Sequence, residues 1–73
     1  MTHEELIAAL DNRFTFHPPK GDQVERYESI RDDARVFAES VCALAPESRE
    51  RALFLTKLEE AVMWANASIA RNE

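Results

Sequence analysis

The sequence predicts an all-α fold: a short amino-terminal helix, a loop with two prolines, and a long antiparallel pair of helices that homo-oligomerises. Apolar residues recur at spacings of three or four over residues 23–44 and again over 46–71, which is the spacing of one helix face. Only a short connection separates the two stretches. Helices of this length with so short a connection pack as an antiparallel hairpin.

The first helix is predicted over about residues 3–12. Thr2 and Glu5 have the spacing of a capping box, in which the two side chains satisfy free backbone amides at the helix start. The apolar residues that follow share one face: Leu6, Ile7 and Leu10. Because it presents such a face, this short helix is expected to lie on something larger.

Residues 13–22, RFTFHPPKGD, are predicted to form a loop. Pro18 and Pro19 lack a backbone N–H, and a proline pushes the residue before it toward an extended conformation, so we expect no helix from Arg13 to Gly21. Loops that only join helices are usually polar and about four to six residues long. This one is longer, aromatic, stiff and basic, which suggests a role in binding.

The hairpin helices are predicted over about residues 23–44 and 46–71. Asp22 and Glu25 repeat the capping-box spacing before the first of them, and Pro46 suits the first turn of the second. The apolar stripe of the first comprises Val24, Tyr27, Ile30, Ala34, Phe37, Val41 and Leu44. The stripe of the second comprises Leu55, Leu58, Val62, Ala65 and Ile69.

The chain has 73 residues, which make one domain at most, of a size that gains little stability from a single core. Its one cysteine, Cys42, excludes an internal disulfide. The second hairpin helix carries further apolar residues beside its stripe: Phe54, Ala61, Met63, Trp64 and Ala67. Because this surface is wider than one partner helix covers, we expect a homo-oligomer in which hairpins pack on hairpins.

The net charge of −5 argues against a nucleic-acid polymer as partner, because such binding depends on neutralising many phosphates. A ligand with two or three phosphates needs only as many cations, so the charge does not exclude it. The longest apolar run is too short for a bilayer, and no signal-peptide pattern is present. We therefore expect a cytoplasmic protein with no membrane partner.

The sequence carries no pattern typical of an enzyme, a metal site or a bound cofactor. Cys42, His3 and His17 do not have the spacing of a zinc site, and a single glycine does not make a phosphate loop. Glu59 and Glu60 are adjacent in a predicted helix, so they point about 100° apart and do not form a joint acid–base pair. The predicted chemistry is binding, without catalytic residues.

The loop supplies four candidate ligand-binding residues: Phe16, His17, Pro18 and Lys20. Aromatic rings stack bases in any sequence context, although these rings have the alternative role of covering the end of a small core. For His17 the alternative is a structural hydrogen bond that fixes the turn. Lys20 precedes the positive end of a helix, where anions are favoured, and its alternative is full solvation.

The helices supply four more candidates: Arg26, Tyr27, Arg31 and Arg71. Tyr27 and Arg31 are four residues apart on one helix face, which places a ring beside a guanidinium and suits a base with its phosphate. The alternative for the arginines is local ion pairing with Glu28 or Asp32. Arg71 complements the helix dipole in the final turn or meets a ligand phosphate.

Two segments together resemble a known family: RFTFHPPKGDQVERYESIR, residues 13–31, and LTKLEEAVMWANASIARN, residues 55–72, after a P-x-S-R-E turn. They are similar to the phage helical-hairpin proteins that sponge cyclic-nucleotide immune signals. That family includes the anti-CBASS sponges, and the anti-Thoeris sponges share its hairpin. The resemblance covers roughly residues 12–72, and the HPP turn with KLEEAVMWAN is its more specific part.

The resemblance implies a homo-oligomer, a hexamer, that acts in the cytoplasm of an infected bacterium and sequesters cyclic di- or trinucleotides without cleaving them. It implies that the ligand lies between subunits, that Phe16 stacks a base, and that Arg31 or Arg26 meets phosphate. Family members with tyrosine at the stacking position have a hydroxyl that Phe16 lacks. A second class of site, near three-fold axes, would hold cyclic trinucleotides, with Arg71 as its candidate.

Two other functions compete with this interpretation. A protein-interaction module or adaptor would dock its wide apolar face on a host or phage protein, and its Trp64 fluorescence would not respond to nucleotides. A small nuclease or phosphodiesterase would need a cluster of metal ligands, which the sequence does not provide.

Overall fold

The computed structural model describes the chain from Met1 to Glu73 and contains three helices and no strand. Helix α1 spans His3–Phe14, α2 spans Gln23–Leu44 and α3 spans Arg49–Asn72. The prediction of an all-α fold is confirmed, and α2 packs on α3 as the hairpin. None of the three helices combines the length and the apolar composition that a bilayer span requires.

The start of α1 is capped by Thr2, which is one half of the predicted capping box; the Glu5 side chain makes no return hydrogen bond. The side-chain oxygen of Thr2 accepts a hydrogen bond from the backbone N–H of Glu5 at 3.1 Å. Glu4 and Glu5 also lie in the first turn, where the positive end of the helix dipole favours carboxylates. The cap and the favourable dipole interaction both stabilise α1, which has 12 residues, a length at which an isolated helix is only marginally stable in water.

The end of α1 lies beyond the predicted position. The backbone N–H of Thr15 donates to the carbonyl of Asp11 at 2.9 Å, which carries the helix to Phe14. The prediction that no residue after Asn12 is helical was therefore wrong for Arg13 and Phe14. A proline restricts only the residue directly before it, so the diproline does not reach back that far.

Gly21 turns the chain from the loop into α2. Its φ of 58° lies in the left-handed region, which residues with a side chain rarely adopt. Across this turn the N–H of Gln23 donates to the carbonyl of Lys20, and the N–H of Lys20 donates to the side-chain oxygen of Gln23, each at 3.1 Å. The two hydrogen bonds hold Lys20 beside the start of α2.

Helix α2 has the predicted bounds, but it is capped differently. Asp22 is the residue before the helix, and its side chain makes no hydrogen bond to a helix amide. Its carboxylate instead accepts from Nε of Arg26 at 3.1 Å. The predicted capping box of Asp22 and Glu25 is absent, because the charged guanidinium one turn away competes for the same oxygen atoms.

Helix α3 begins at Arg49, later than the predicted start at Pro46. The hydroxyl of Ser48 accepts from the N–H of Arg51 and donates to the carbonyl of Pro46, both at 3.1 Å. A serine side chain satisfies a free amide of the first turn, whereas Ala45, which precedes Pro46, has no side-chain acceptor. Capping therefore outweighs the preference of proline for a first turn.

Arg51 closes the connection between the hairpin helices, a role that the sequence did not suggest. Its Nη1 donates to the carbonyl of Cys42 at 3.3 Å and to that of Ala45 at 3.2 Å. The last carbonyls of a helix have no partner inside it. The guanidinium supplies one for the end of α2 from the first turn of α3.

The packing of α2 on α3 centres on two aromatic rings. Phe37 and Phe54 meet edge to face, with ring centres 5.6 Å apart and planes at 77°. Phe54 therefore lies in the hairpin interface, and its assignment to the surface beside the stripe was wrong. The following predicted stripe residues are half-buried: Tyr27, Ile30, Ala34 and Val41 on α2, and Leu58, Val62, Ala65 and Ile69 on α3.

The single chain buries no apolar side chain fully. Phe37 and Leu44 of the predicted stripe stay 53% and 85% exposed, and Trp64 is 62% exposed. The radius of gyration is 16.3 Å, against about 11 Å for a compact domain of this length. One hairpin therefore leaves much of its apolar surface in water.

Candidate functional site

An open groove of about 330 Å³, here called the loop groove, lies between the loop and the end of α3. Its lining consists of Phe16, His17, Pro18, Lys20, Gln23, Ala70, Arg71 and Glu73. Five of these were predicted from the sequence to bind a ligand: Phe16, His17, Pro18, Lys20 and Arg71. The antiparallel hairpin brings them together, because it places the start of α2 beside the last turn of α3.

Phe16 presents its ring to solvent at the edge of the loop groove. The side chain is 80% exposed, so within one chain it does not cover the end of a core. Phe14 is equally exposed, at 83%, but it does not line the groove. The aromatic face available to a ligand in the groove is therefore that of Phe16.

His17 fixes the loop to the end of α1. Its Nε2 donates to the carbonyl of Asn12 at 2.7 Å, and since a carbonyl only accepts, this nitrogen carries the proton. The bond satisfies one of the last carbonyls of α1. The structural hydrogen bond expected as an alternative role is therefore present, and the other ring nitrogen has no partner within the chain.

Gln23 links the loop to the end of α3, a role that the sequence pattern did not indicate. It is the one buried residue, only 3% exposed. Its side-chain oxygen accepts from the N–H of Lys20 at 3.1 Å, and its Nε2 donates to the Glu73 carboxylate at 3.2 Å. One amide thus orders both walls of the loop groove.

Arg26 is held by two carboxylates, neither of which is Glu28 or Asp32. Its Nη1 donates to one oxygen of Glu73 at 2.7 Å and its Nη2 to the other, while its Nε donates to Asp22. The Nζ of Lys20 donates to the main-chain oxygen of Glu73 at 2.6 Å. These residues form what we call the Glu73 cluster: Lys20, Asp22, Gln23, Arg26 and Glu73.

The charges of this cluster shift two pKa values in opposite directions. The hydrogen bonds from Arg26, followed by that from Gln23, lower the pKa of Glu73 to about 2. The same carboxylate raises the pKa of Arg26 above its usual value. Both side chains are therefore charged at neutral pH, and each neutralises the other.

The lowered pKa of Glu73 predicts a pH dependence of stability. Its pKa is about 2 in the folded protein against an ordinary value of 4.5. The ion pair therefore contributes its full stabilisation above pH 4.5 and loses it as the pH falls toward 2. Over that window we expect the melting temperature of the wild type to fall more steeply than that of Glu73→Gln. Thermal unfolding followed by circular dichroism measures the difference.

Glu47→Gln is the matched control, because Glu47 is exposed and has no ion pair. Its melting curve should follow the wild type at each pH. If Glu73→Gln and the wild type lose stability in parallel between pH 4.5 and 2, the ion pair of Arg26 and Glu73 does not stabilise the fold.

Arg31 lies on the face of the hairpin, outside the loop groove. It lines a second groove of about 400 Å³, the hairpin groove, between α2 and α3. The remaining lining is Ala34, Arg35, Ala38, Leu55, Leu58, Glu59, Val62 and Met63. Arg35 pairs with Glu39 at 3.2 Å, whereas Arg31 has no ion pair, so its guanidinium is available to an anion.

Six of the eight predicted site residues line one of these two grooves: five line the loop groove, and Arg31 lines the hairpin groove. Arg31 is eight residues after Gln23, which is about 12 Å along the helix. Tyr27 is half-buried and lines neither groove. Arg71 borders the loop groove and also a small groove of about 140 Å³ beside Met63, Trp64 and Ala67.

Three further residues line the loop groove that were not predicted from the sequence: Gln23, Ala70 and Glu73. A signal for Ala70 and Glu73 was present, because an antiparallel hairpin must bring the end of α3 back to the start of α2. Gln23 had none, since a glutamine at a helix start is common. The chemistry of the assembled groove is an aromatic face, an imidazole, two cations and one carboxylate.

The family of the chain is shown by a match to a family model. The model of the Acb2/Tad1 hairpin domain matches residues 6–70, which include the loop, all of α2 and most of α3. Arg71 and Glu73 lie outside the matched range. No curated protein and no solved structure matches the chain. The chain belongs to the Acb2/Tad1 hairpin domain family, to which the sequence resemblance to anti-CBASS and anti-Thoeris sponges also pointed.

Proposed function

We propose that this protein binds and sequesters cyclic di- or trinucleotides without cleaving them, and so suppresses CBASS-type anti-phage signalling in the bacterial cytoplasm. One observation carries the proposal: the loop groove of a chain from this family joins the exposed ring of Phe16 with Lys20 and Arg71 in one cavity. A cyclic oligonucleotide has the matching parts, which are flat bases and a ring of phosphodiesters.

The base is assigned to Phe16. Stacking on an aromatic ring contributes about 1 to 3 kcal/mol per base and tolerates any base. The loop that carries the ring is held before binding by the hydrogen bond of His17 to Asn12 and by the prolines that follow. A preformed face loses less conformational entropy on binding than a mobile one, which favours tight retention.

The phosphates are assigned to cations at the two grooves. Lys20 and Arg71 line the loop groove, and Arg31 stands without an ion pair in the hairpin groove. A cyclic dinucleotide has two phosphates and a trinucleotide three, so a few cations suffice in a chain with a net charge of −5. Hydrogen bonds from charged groups to phosphate are about twice as strong as those between neutral groups.

A site shared between subunits completes the proposal. The loop groove holds about 330 Å³, the low end of the range of roughly 300 to 1,000 Å³ for small-molecule sites. Arg31 lies about 12 Å along α2 from the loop groove of its own chain. We therefore propose that Arg31 contacts a ligand that is bound in the loop groove of a second copy. The exposed apolar faces support a homo-oligomer, for which we propose a hexamer.

We propose that the ligand is retained intact, and the side chains of the loop groove support this. Its titratable side chains are His17, Lys20, Arg71 and Glu73. Nε2 of His17 already donates to Asn12, and Glu73 is paired with Arg26. In the ligand-free chain neither His17 nor Glu73 is hydrogen-bonded to a nucleophile, which supports binding without cleavage.

A second candidate function is a protein-interaction module, favoured by the exposure of Met63 and Trp64. These side chains are 64% and 62% exposed on one stretch of α3. A protein partner would cover them in place of a second copy. A change in Trp64 fluorescence on adding cyclic nucleotide favours the sponge, whereas an unresponsive Trp64 and capture of a defined protein partner favour the module.

The sponge function predicts stabilisation by ligand and recovery of the ligand unchanged. At free ligand a thousandfold above Kd, the free energy of unfolding should rise by about 4 kcal/mol per site. Differential scanning fluorimetry with a panel of cyclic di- and trinucleotides measures the shift. Linear dinucleotides of the same bases serve as controls.

The released nucleotide is then examined by chromatography after heat denaturation of the complex. The intact ring supports sequestration, whereas linear or mononucleotide products identify an enzyme. If no cyclic nucleotide raises the melting temperature, the proposed function is wrong.

A further inference from the structure

We propose that the Glu73 carboxylate occupies a phosphate position formed by Arg26 and Gln23, with Lys20 beside it, so that a ligand phosphate must displace Glu73 to reach Arg26. The inference rests on the function proposed above and deepens it, because it assigns a residue that sets the affinity of the same site. Neither Arg26 nor Glu73 presents its charge freely in the ligand-free chain.

The geometry around Glu73 is that of a bound anion. Each of its carboxylate oxygens accepts from a different Nη of Arg26, the two-pronged arrangement that guanidinium also makes with phosphate. Gln23 donates a further hydrogen bond at 3.2 Å. A phosphodiester, like a carboxylate, has one negative charge and two free oxygens, so the same donors suit either group.

Glu73 both lines the loop groove and binds Arg26. Arg26 itself does not line the groove. A ligand in the groove therefore meets the cations of Lys20 and Arg71 together with one repelling carboxylate. If that carboxylate moves away, the repulsion is removed and the guanidinium of Arg26 becomes accessible.

The displacement requires little rearrangement of the fold. Glu73 follows Asn72, the last residue of α3, so its side chain can leave the cluster without unwinding the helix. The side chains of Arg26 and Glu73 are 39% and 40% exposed, which allows water to replace each partner as the pair separates. An ion pair so accessible to solvent contributes only modestly to stability, so contacts with a ligand phosphate can offset its loss.

The first test is Glu73→Gln, with affinity for a cyclic dinucleotide measured by isothermal titration calorimetry. The amide keeps the size of the side chain but loses the charge that competes with phosphate. We expect Kd to fall roughly 2- to 5-fold, the upper part of the range set by removal of an exposed ion pair. Circular dichroism checks that the variant keeps the helical fold.

Glu60→Gln is the matched control. Glu60 is also an exposed glutamate in an ion pair, with Lys57 at 3.3 Å, and it lines none of the grooves. Glu60→Gln removes the same charge from the chain as Glu73→Gln. Its Kd should stay within about twofold of the wild-type value, because exposed charges at a distance are screened by salt. An equal gain in both variants would mean that net charge, and not the cluster, sets the affinity.

A double-variant cycle with Arg26→Ala identifies the cation that Glu73 masks. In the Arg26→Ala background, Glu73→Gln should tighten binding less than it does in the wild type, because it still removes a repelling carboxylate but no longer exposes a guanidinium. An equal gain in the two backgrounds would overturn the assignment of that arginine.

The outcomes separate this inference from the proposed function. If the wild type binds cyclic dinucleotide and Glu73→Gln binds it equally or less tightly, displacement of Glu73 is wrong and the sponge function stands. If neither chain binds a cyclic nucleotide, the sponge function is wrong. In that case, displacement of Glu73 from Arg26 by a phosphate is tested directly. The wild type and Glu73→Gln are titrated with inorganic pyrophosphate, and the Nε–H signal of Arg26 is followed by NMR.

A shift of that signal at lower pyrophosphate concentration in Glu73→Gln than in the wild type supports the masked cation. Coincident titrations overturn it.

Discussion

Phe16→Ala is expected to weaken binding of cyclic dinucleotide by about 1 to 3 kcal/mol, a 5- to 150-fold rise in Kd. The ring is 80% exposed at the edge of the loop groove, so its removal deletes a stacking face and leaves no cavity in a core. The melting temperature of the free protein and its oligomeric mass should therefore stay unchanged. Calorimetry measures the affinity, and light scattering measures the mass.

Phe14→Ala is the control for this prediction. Phe14 is 83% exposed and only two residues away, but it does not line the groove, so its loss should change Kd less than twofold. Phe16→Tyr should retain the affinity of the wild type, because a tyrosine ring stacks as phenylalanine does. If Phe16→Ala binds like the wild type, Phe16 is not part of the site.

Arg31→Ala is expected to weaken binding by about 1.5 to 3 kcal/mol, a 10- to 150-fold rise in Kd, the range for a hydrogen bond to a charged group. The guanidinium has no ion pair within the chain, so its loss leaves no carboxylate without its partner. The affinity of the variant should also depend less on salt, since one phosphate contact is gone. Calorimetry at two salt concentrations measures both effects.

The control for Arg31 is Arg49→Ala, which removes the same charge at the first residue of α3, outside both grooves. It should leave Kd and its salt dependence close to the wild type. In the proposed site, Phe16 comes from one chain and Arg31 from another. When Phe16→Ala and Arg31→Ala chains are mixed, some sites should therefore contain both wild-type residues and bind with wild-type affinity. The absence of any recovery in such mixtures would contradict a site shared between subunits.

Local patterns predicted the helices well where one signal acted alone. The apolar period placed α2 at its observed bounds, and Thr2 caps α1 as its spacing indicated. Errors arose where two signals competed. Pro46 favoured an early start for α3, but the hydroxyl of Ser48 caps the helix later, and the carboxylate of Asp22 binds Arg26 in place of a backbone amide.

The loop residues of the candidate site could also be predicted from the sequence. Aromatic, imidazole and cationic side chains within RFTFHPPKGD indicated a binding loop, and Phe16, His17, Pro18 and Lys20 line the groove. Of the other wall, the local pattern indicated only Arg71. Ala70 and Glu73 reach the groove through the hairpin, and the spacing of residues along one helix does not reveal which side chains meet across two.

The sequence by itself determined the all-α class, the hairpin and the family, because helix period, proline and capping act between neighbours in the chain. Only the tertiary structure decided that Glu73 meets Arg26 and Gln23, about fifty positions apart in the chain. A carboxylate can pair with any cation that lies near it in space. Which cation lies near Glu73 depends on where α2 begins and α3 ends relative to each other, and local propensities do not specify that.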